Sequence, residues 1–248
     1  MNRIEAEKTR AVVQPTLKKR FTAISYNIHK CVGLDGKQKP ERVAQVIRKL
    51  QSPLVGLQEV DSLVTNGSQT DYLARETGLT PIAGPAIRKG KGYYGNVLLT
   101  KFPILETRCL DISVDGSEPR SLIDAILNVY GISVRVVVTH LGLIPWERRR
   151  QVKRLLKILS DGNDEKLVVL GDINEWLPIS PRLRALHRRF GKTPGPPTFP
   201  SFLPIIALDR IWVKPRNALL SMRVHKSKLA RLASDHLPVL ADIALPGR

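Results

Sequence analysis

The sequence predicts an α/β fold of mixed β-sheets with helices packed on their outer sides. Three observations carry this. Short, β-branched apolar runs bounded by Gly, Pro, Asp and Asn recur along the chain. Between some of them stand stretches with apolar residues at 3–4 spacing, the stripe of an amphipathic helix. Their order runs β-α-β, then several strands, then β-α-β, the pattern of layered sheets covered by helices. No low-complexity linker divides the 248 residues and no short repeat is visible, so a single domain is expected over residues 21–248.

In chain order, residues 1–20 carry six basic and two acidic side chains and read as a flexible basic arm. "FTAISYNI" (21–28) is the first strand. "KPERVAQVIRKLQ" (39–51) is a helix, with Pro40 at its start and Val43, Val46, Ile47 and Leu50 on one stripe. "PLVGLQEV" (53–60), "GNVLLTKF" (95–102), "LIDAILNV" (122–129) and "ISVRVVVTHL" (132–141) follow as strands. "PWERRRQVKRLLKILSDG" (145–162) is a helix with Val152, Leu155, Leu156 and Leu159 inward and Arg150, Lys153, Arg154 and Lys157 outward. "KLVVLGDI" (166–173) is a strand, "SPRLRALHRRFG" (180–191) a shorter helix, and "LDRIWVKP" (208–215) and "PVLADIAL" (238–245) the last strands. The proline-rich "GKTPGPPTFPSFLP" (191–204) cannot be helical. The apolar stretch "PPTFPSFLPII" (196–206) reads as a packed connection anchored by Phe199 and Phe202, with a loop that dips into a lipid interface as the alternative.

Apolar content of 42% is ordinary for a globular protein and excludes disorder as the default. The net charge of +18 is not ordinary. A field of that sign attracts polyanions: nucleic acid, anionic lipid headgroups or phosphorylated substrates. No protein partner is implied. Cys31 and Cys109 are too few for a disulfide framework or a thiolate zinc site and are expected as free buried thiols. The N-terminal sequence has no signal-peptide apolar core, and no run approaches the ~18 apolar residues of a membrane span. The expectation is a soluble, cytoplasmic protein.

The strands share an oddity: several end in an ionisable or amide residue. "FTAISYN" reaches Asn27, "PLVGLQE" Glu59, "VVVTH" His140, and "VVLGDIN" Asp172 and Asn174. "ALDR" puts Asp209 at a strand start, and "ASDH" puts Asp235 and His236 beside another. Singly, each reads as a turn former or cap. Together they read as a site, because rigid sites in layered α/β folds are built where strands end. Their chemistry is coherent. Glu59 with an amide such as Asn27 gives a hard, oxygen-rich position suited to Mg²⁺ or Mn²⁺. Two histidines supply proton transfer near neutrality. A carboxylate that accepts from a histidine fixes its tautomer and stabilises its charged form. Metal, histidines and a basic surface point to hydrolysis of a phosphate ester.

These motifs, "SYNIHK", "VGLQEVD", "YGNVLLTKFP", "VVTHLGL", "VVLGDINEW", "LDRIWV" and "ASDHLPV", occur in the order found in the endonuclease/exonuclease/phosphatase superfamily, and the chain resembles it from about residue 21 to 245. The resemblance implies a four-layered α/β sandwich: two mixed sheets face to face, helices outside, the site along one edge. It implies a metal site at Asn27 and Glu59. It implies that Asp172 and Asn174 orient water and hold phosphate, and that His140 and His236 are the catalytic histidines. Asp209 resembles the carboxylate that pairs with a histidine, His236 being the candidate. Asp235 resembles a second metal-facing or water-orienting carboxylate, and the sequence leaves those two roles open. Arg120, in "SEPRSLIDAIL", resembles an arginine that faces the site and binds phosphate.

His29 stands where abasic-site endonucleases carry an Asp, and His140 in "THLG" matches the deoxyribonuclease I-like, histidine-containing branch. The implied enzyme is therefore a metal-dependent phosphodiesterase, with a nuclease acting on DNA or RNA as the first reading. Arg88 and Tyr94, in the basic and aromatic loop "IRKGKGYYGN", are its expected substrate contacts. The alternative is a sphingomyelinase-like lipid phosphodiesterase, or a phosphatase, at an anionic membrane surface. A non-catalytic binding module of the same fold would be expected to have lost part of the motif set, which is complete here.

Overall fold

A computed structural model describes residues 19–62, 67–160 and 165–245. Eleven strands are described: β1 (Lys19–Asn27), β2 (Leu54–Asp61), β3 (Thr80–Lys89), β4 (Gly92–Thr100), β5 (Ile104–Asp111), β6 (Ser121–Val129), β7 (Ile132–His140), β8 (Leu167–Asp172), β9 (Asp209–Lys214), β10 (Leu219–Val224) and β11 (Val239–Leu245). The described α-helices are α1 (Pro40–Leu50), α2 (Gln69–Thr77), α3 (Pro145–Ile158), α4 (Pro181–Phe190) and α5 (Lys228–Ala233). Six strands form one mixed sheet in the order β10-β11-β1-β2-β4-β3, and five form the other in the order β5-β6-β7-β8-β9.

Period-two alternation builds the layers. On β1, Phe21 and Ala23 point at the second sheet, and Ile24 and Tyr26 point away from it. The face between the sheets is filled by Leu54, Leu98, Ile123, Ala125, Val136, Val138, Leu170 and Ile211 with their neighbours. Gly56 permits this closeness, since a β-carbon there would lie 2.0 Å from Leu170 Cδ1. The outer face of the first sheet is covered by α1, α2 and α5, and that of the second by α3 and α4. Helix, sheet, sheet, helix is the four-layered sandwich expected. Pro40 and Pro145 open α1 and α3, where a missing N–H costs nothing. Val43, Ala44, Val46 and Ile47 bury the inner stripe of α1, each larger side chain contributing about 1.5–3 kcal/mol.

Some expectations need correction. β1 opens at Lys19, so Lys19 and Arg20 belong to a strand rather than to an arm; residues 1–18 lie outside the described residues. Helix α3 ends at Ile158, before the expected Gly162, which also lies outside them. Cys31 is buried and free, but Cys109 is free and exposed, because β5 is an edge strand whose side chains there face solvent. Phe199 anchors its loop against the His236 ring at 5.0 Å, whereas Phe202 is exposed. Among the described residues no helix is long and apolar enough to cross a membrane.

Candidate active site

Strand register brings the polar strand ends together. β7 and β8 run parallel and finish side by side, His140 against Asp172. β9 runs antiparallel to β8 and starts with Asp209 opposite Asp172. In the other sheet β1 and β2 run parallel and place Asn27 beside Gln58, with Glu59 next. Three residues of the second sheet thus face two of the first across one edge of the sandwich. The segment before β11 adds His236, tied in through Ser234: its hydroxyl donates to Asn27 O at 2.8 Å and accepts from His236 N at 3.2 Å.

Local backbone departs from regular strand at two of these residues. Glu59 has φ 56 and sits where the β2–β4 register shifts between Leu57 and Val60, so a β-bulge re-aims its side chain. Asn174 has φ 53, and its N–H donates to Asp172 Oδ1 at 2.9 Å. A tight turn capped by Asp172, rather than alternation along an extended chain, therefore brings Asn174 back to the site. Gly171 is required beside it, since a β-carbon would lie 1.9 Å from the Thr139 carbonyl oxygen.

Asp172 is the hub. Its Oδ2 accepts from Asn27 Nδ2 at 3.0 Å and lies 3.7 Å from both His140 Nε2 and His236 Nε2. Asn27 Nδ2 also donates to Glu59 Oε1 at 3.0 Å, so one amide joins both carboxylates and both sheets. Asn174 Nδ2 lies 3.1 Å from His140 Nε2 and donates to Leu141 O at 2.8 Å. His236 Nδ1 lies 3.0 Å from Asp209 Oδ2, and Thr198 Oγ1 donates to that same oxygen at 2.6 Å. Asp209 is thus the carboxylate paired with a histidine. Asp235 Oδ1 accepts from Ser234 Oγ at 3.3 Å and lies 3.9 Å from His29 Nδ1, and its charge adds to the field on His236.

Burial and charge push the two histidines apart. Burial lowers His140 to about 3, with the positive field of Arg120 adding to the effect against Asp172, so it is neutral. Burial also opposes charge on His236, but Asp209 and Asp172 outweigh it and push its pKa up to about 10. Burial, together with Asp209, raises Asp172 above the usual carboxylate range.

Arg120 is buried beside the site, not a strand-surface side chain. It pairs with Glu118 at 2.5 Å, and its Nε has no hydrogen-bond partner. Tyr94 is buried too, hydrogen-bonded with Glu59, with Lys30 Nζ 5.2 Å from its ring centre; its expected place against a sugar or base gives way to holding Glu59. Arg88 is exposed near Cys109, and no contact joins it to the catalytic cluster among the described residues. Thr198, Ser234 and Tyr94's partner role escaped the sequence reading, since nothing in a lone Thr or Ser signals a hydrogen bond made 11 or 207 residues away.

The donor set fits a hard divalent cation. Glu59 Oε1 and Asp172 Oδ2 converge on one amide nitrogen, Glu59 keeps 20% side-chain exposure, and Asp209 Oδ1 is buried without a partner. Asp172, Asp209 and His236 also bring potential ligand atoms within 4.8 Å of one another. Asn27 enters with its nitrogen toward the carboxylates, because its oxygen accepts from His29 N at 3.0 Å.

The family model of the endonuclease/exonuclease/phosphatase family matches residues 24–236. The chain belongs to the endonuclease/exonuclease/phosphatase family. Members of this family are hydrolases that act on phosphodiester bonds, generally with divalent metals. YbhP of Escherichia coli strain K12 is 29% identical over 247 residues, covering 91% of this chain and 96% of its own. A family structure from Beutenbergia cavernae matches with TM-score 0.72 and 23% identity, over 91% of this chain and 72% of that one. D. rerio TDP2, solved with a single-strand DNA product, matches with TM-score 0.67 and 18% identity over 90% and 98%. These two structures share the family's fold.

Proposed function

We propose that this protein is a divalent-metal-dependent phosphodiesterase. The observation that carries the reading is the Asp172 hub, which gathers a buried carboxylate, a charged histidine and a neutral one around a donor set fit for a hard cation. Glu59, with Asp172 across from it, would hold Mg²⁺ or Mn²⁺, and the Asn27 amide nitrogen orients both carboxylates. Such a cation, when bound, neutralises phosphate charge and stabilises the leaving oxygen.

The chain's own residues supply the rest. Asp172, raised by burial, takes the proton from the attacking water. His236 holds its proton and donates from Nε2 to a non-bridging phosphate oxygen. Those two atoms lie only 3.7 Å apart, too close to serve the attacking and leaving oxygens at opposite ends of an in-line displacement. Because His236 already holds its proton, Asp172 is the base in this scheme. Asp209 and Thr198 hold the His236 ring in place, and Asn174, His140 and Arg120 face the other phosphate oxygens. Asp235 stays outside this scheme.

Two substrate classes suit a protein of charge +18. Nucleic acid is supported by charge, by the exposed Arg88, Lys89 and Lys91 of the β3–β4 hairpin, and by the likeness to TDP2. A phospholipid headgroup is supported by exposed apolar side chains on the loops around the site. Either way, bis(p-nitrophenyl) phosphate with Mg²⁺ or Mn²⁺ tests the chemistry. Asp172→Asn should lower kcat by ~10²-fold or more. Wild-type turnover in that variant, or full activity in EDTA, would sink the reading.

A further inference from the structure

Large apolar side chains stand in solvent on three connections: Leu143 (71% exposed) with Trp146 in the first turn of α3, Trp176 with Ile179 (76%), and Phe202 with Ile205 (68%). Scattered singly, such residues need no explanation. These are not scattered. The first loop leaves β7 after His140, the second leaves β8 after Asp172, and the third enters β9 before Asp209. Strand register sets His140, Asp172 and Asp209 side by side, so all three loops rise from the edge that carries the site. A fourth piece joins them. Leu34 and Leu232, both exposed, are linked by Leu34 N donating to Leu232 O at 3.1 Å, and Arg231 donates to Phe202 O at 2.7 Å.

Basic groups accompany this rim. Arg149 and Arg150 are exposed in the first turns of α3, and the Arg150 guanidinium lies 5.4 Å from the Trp146 ring centre. Lys30 and Lys37 are exposed on the loop after β1. We propose that the rim seats the protein on an anionic lipid bilayer, so that the phosphodiester it cleaves belongs to a phospholipid headgroup. This rests on the phosphodiesterase reading and names its substrate class.

The chemistry selects this occupant over two others. Tryptophan beside arginine, with aliphatic side chains projecting past them, is what the boundary between headgroups and acyl chains accommodates. Basic side chains beside it add attraction to acidic lipid. Nucleic acid offers no use for Leu143, Ile179 or Ile205, because interfaces with it are polar and strongly basic. A second copy of the chain would bring another +18 against the first.

Flotation with phosphatidylcholine vesicles, alone or enriched in phosphatidylglycerol, tests the proposal. The full-length protein should float with the phosphatidylglycerol vesicles, and tryptophan emission should shift to the blue as Trp146 and Trp176 leave water. The triple variant Ile179→Ser, Phe202→Ser, Ile205→Ser should bind those vesicles ~10-fold more weakly or worse. Its turnover of bis(p-nitrophenyl) phosphate should be unchanged, since none of the three touches the catalytic cluster. Failure of the wild type to float, or equal binding by the variant, would overturn the proposal while leaving the phosphodiesterase intact. So would a variant that keeps vesicle affinity but loses affinity for single-stranded DNA. Absence of turnover on the soluble diester in the wild type would instead remove the phosphodiesterase reading, with the flotation result still deciding the rim.

Discussion

His236 Nδ1 meets Asp209 Oδ2 at 3.0 Å, a buried pair that turns the other ring nitrogen toward the centre of the site. The pair keeps the imidazole charged at neutral pH, with a pKa of about 10. NMR titration should find His236 protonated through pH 7, and Asp209→Asn should bring its pKa down. A folded value above the ordinary ~6.5 means that its contribution to stability is full below ~6.5 and is lost as pH rises toward about 10. Thermal midpoints should therefore decline across that window, and decline less in Asp209→Asn. A neutral His236 at pH 7 would refute the role given to it.

His140 should act in the opposite sense. Its folded pKa of about 3 lies below the ordinary value, so between those pH values the unfolded chain binds a proton that the folded chain refuses. Stability should fall as pH drops from ~6.5 toward 3. His140→Gln should flatten that limb in a circular-dichroism melting series, and an unchanged limb would assign acid sensitivity to other groups.

Arg120 offers a buried guanidinium whose Nε is unpartnered. A charge-assisted hydrogen bond to phosphate is worth ~1.5–3 kcal/mol, so Arg120→Gln should lower kcat/KM by ~10- to 100-fold. Arg120→Lys should recover only part, because an ammonium lacks the planar fork. Steady-state kinetics on the soluble diester decide it; an unaffected Arg120→Gln enzyme would discard the phosphate contact.

Asp124 belongs to structure rather than chemistry. Its carboxylate accepts from Arg135 at 2.8 Å through both oxygens and from Arg108 at 2.6 Å. Burial opposes its charge, yet the two arginines hold its pKa below the usual range. Asp124→Ala leaves a buried arginine exposed to that penalty and should cost about 3–5 kcal/mol in urea unfolding. The wild-type contribution should be present above pH ~3.9 and be lost as pH falls through the lower folded value.

Most of the architecture was legible because buried strands are written in apolar residues. The eight strands read from the sequence all exist. The three that went unread, β3, β5 and β10, are edge strands. An edge strand needs no continuous apolar face, and β3 even carries Pro81 and Pro85, which an interior strand excludes. Helices α2 and α5 are nine and six residues long, too short for a periodic signal. At the site, residue identities were legible and partnerships only in part. The resemblance already named Asp209 as the partner of His236, but nothing in the sequence put Asp235 3.9 Å from His29 Nδ1. The burial of Arg120 was not legible either, since nothing in "SEPRSLIDAIL" marks its side chain as turned inward. Of the apolar rim, only the proline-rich loop was legible, as the lipid-dipping alternative; the loops after β7 and β8 contribute a few residues each, and register assembles them beside it.

Glu59 keeps its place at φ 56 against the preference of its own backbone. A residue with a β-carbon held in the left-handed region gives up roughly 1–2 kcal/mol that glycine would not. Glu59→Gly should therefore relax the bulge while erasing the carboxylate. Heat-tolerance screens that never ask for turnover would drift toward that change and return sturdier, silent proteins.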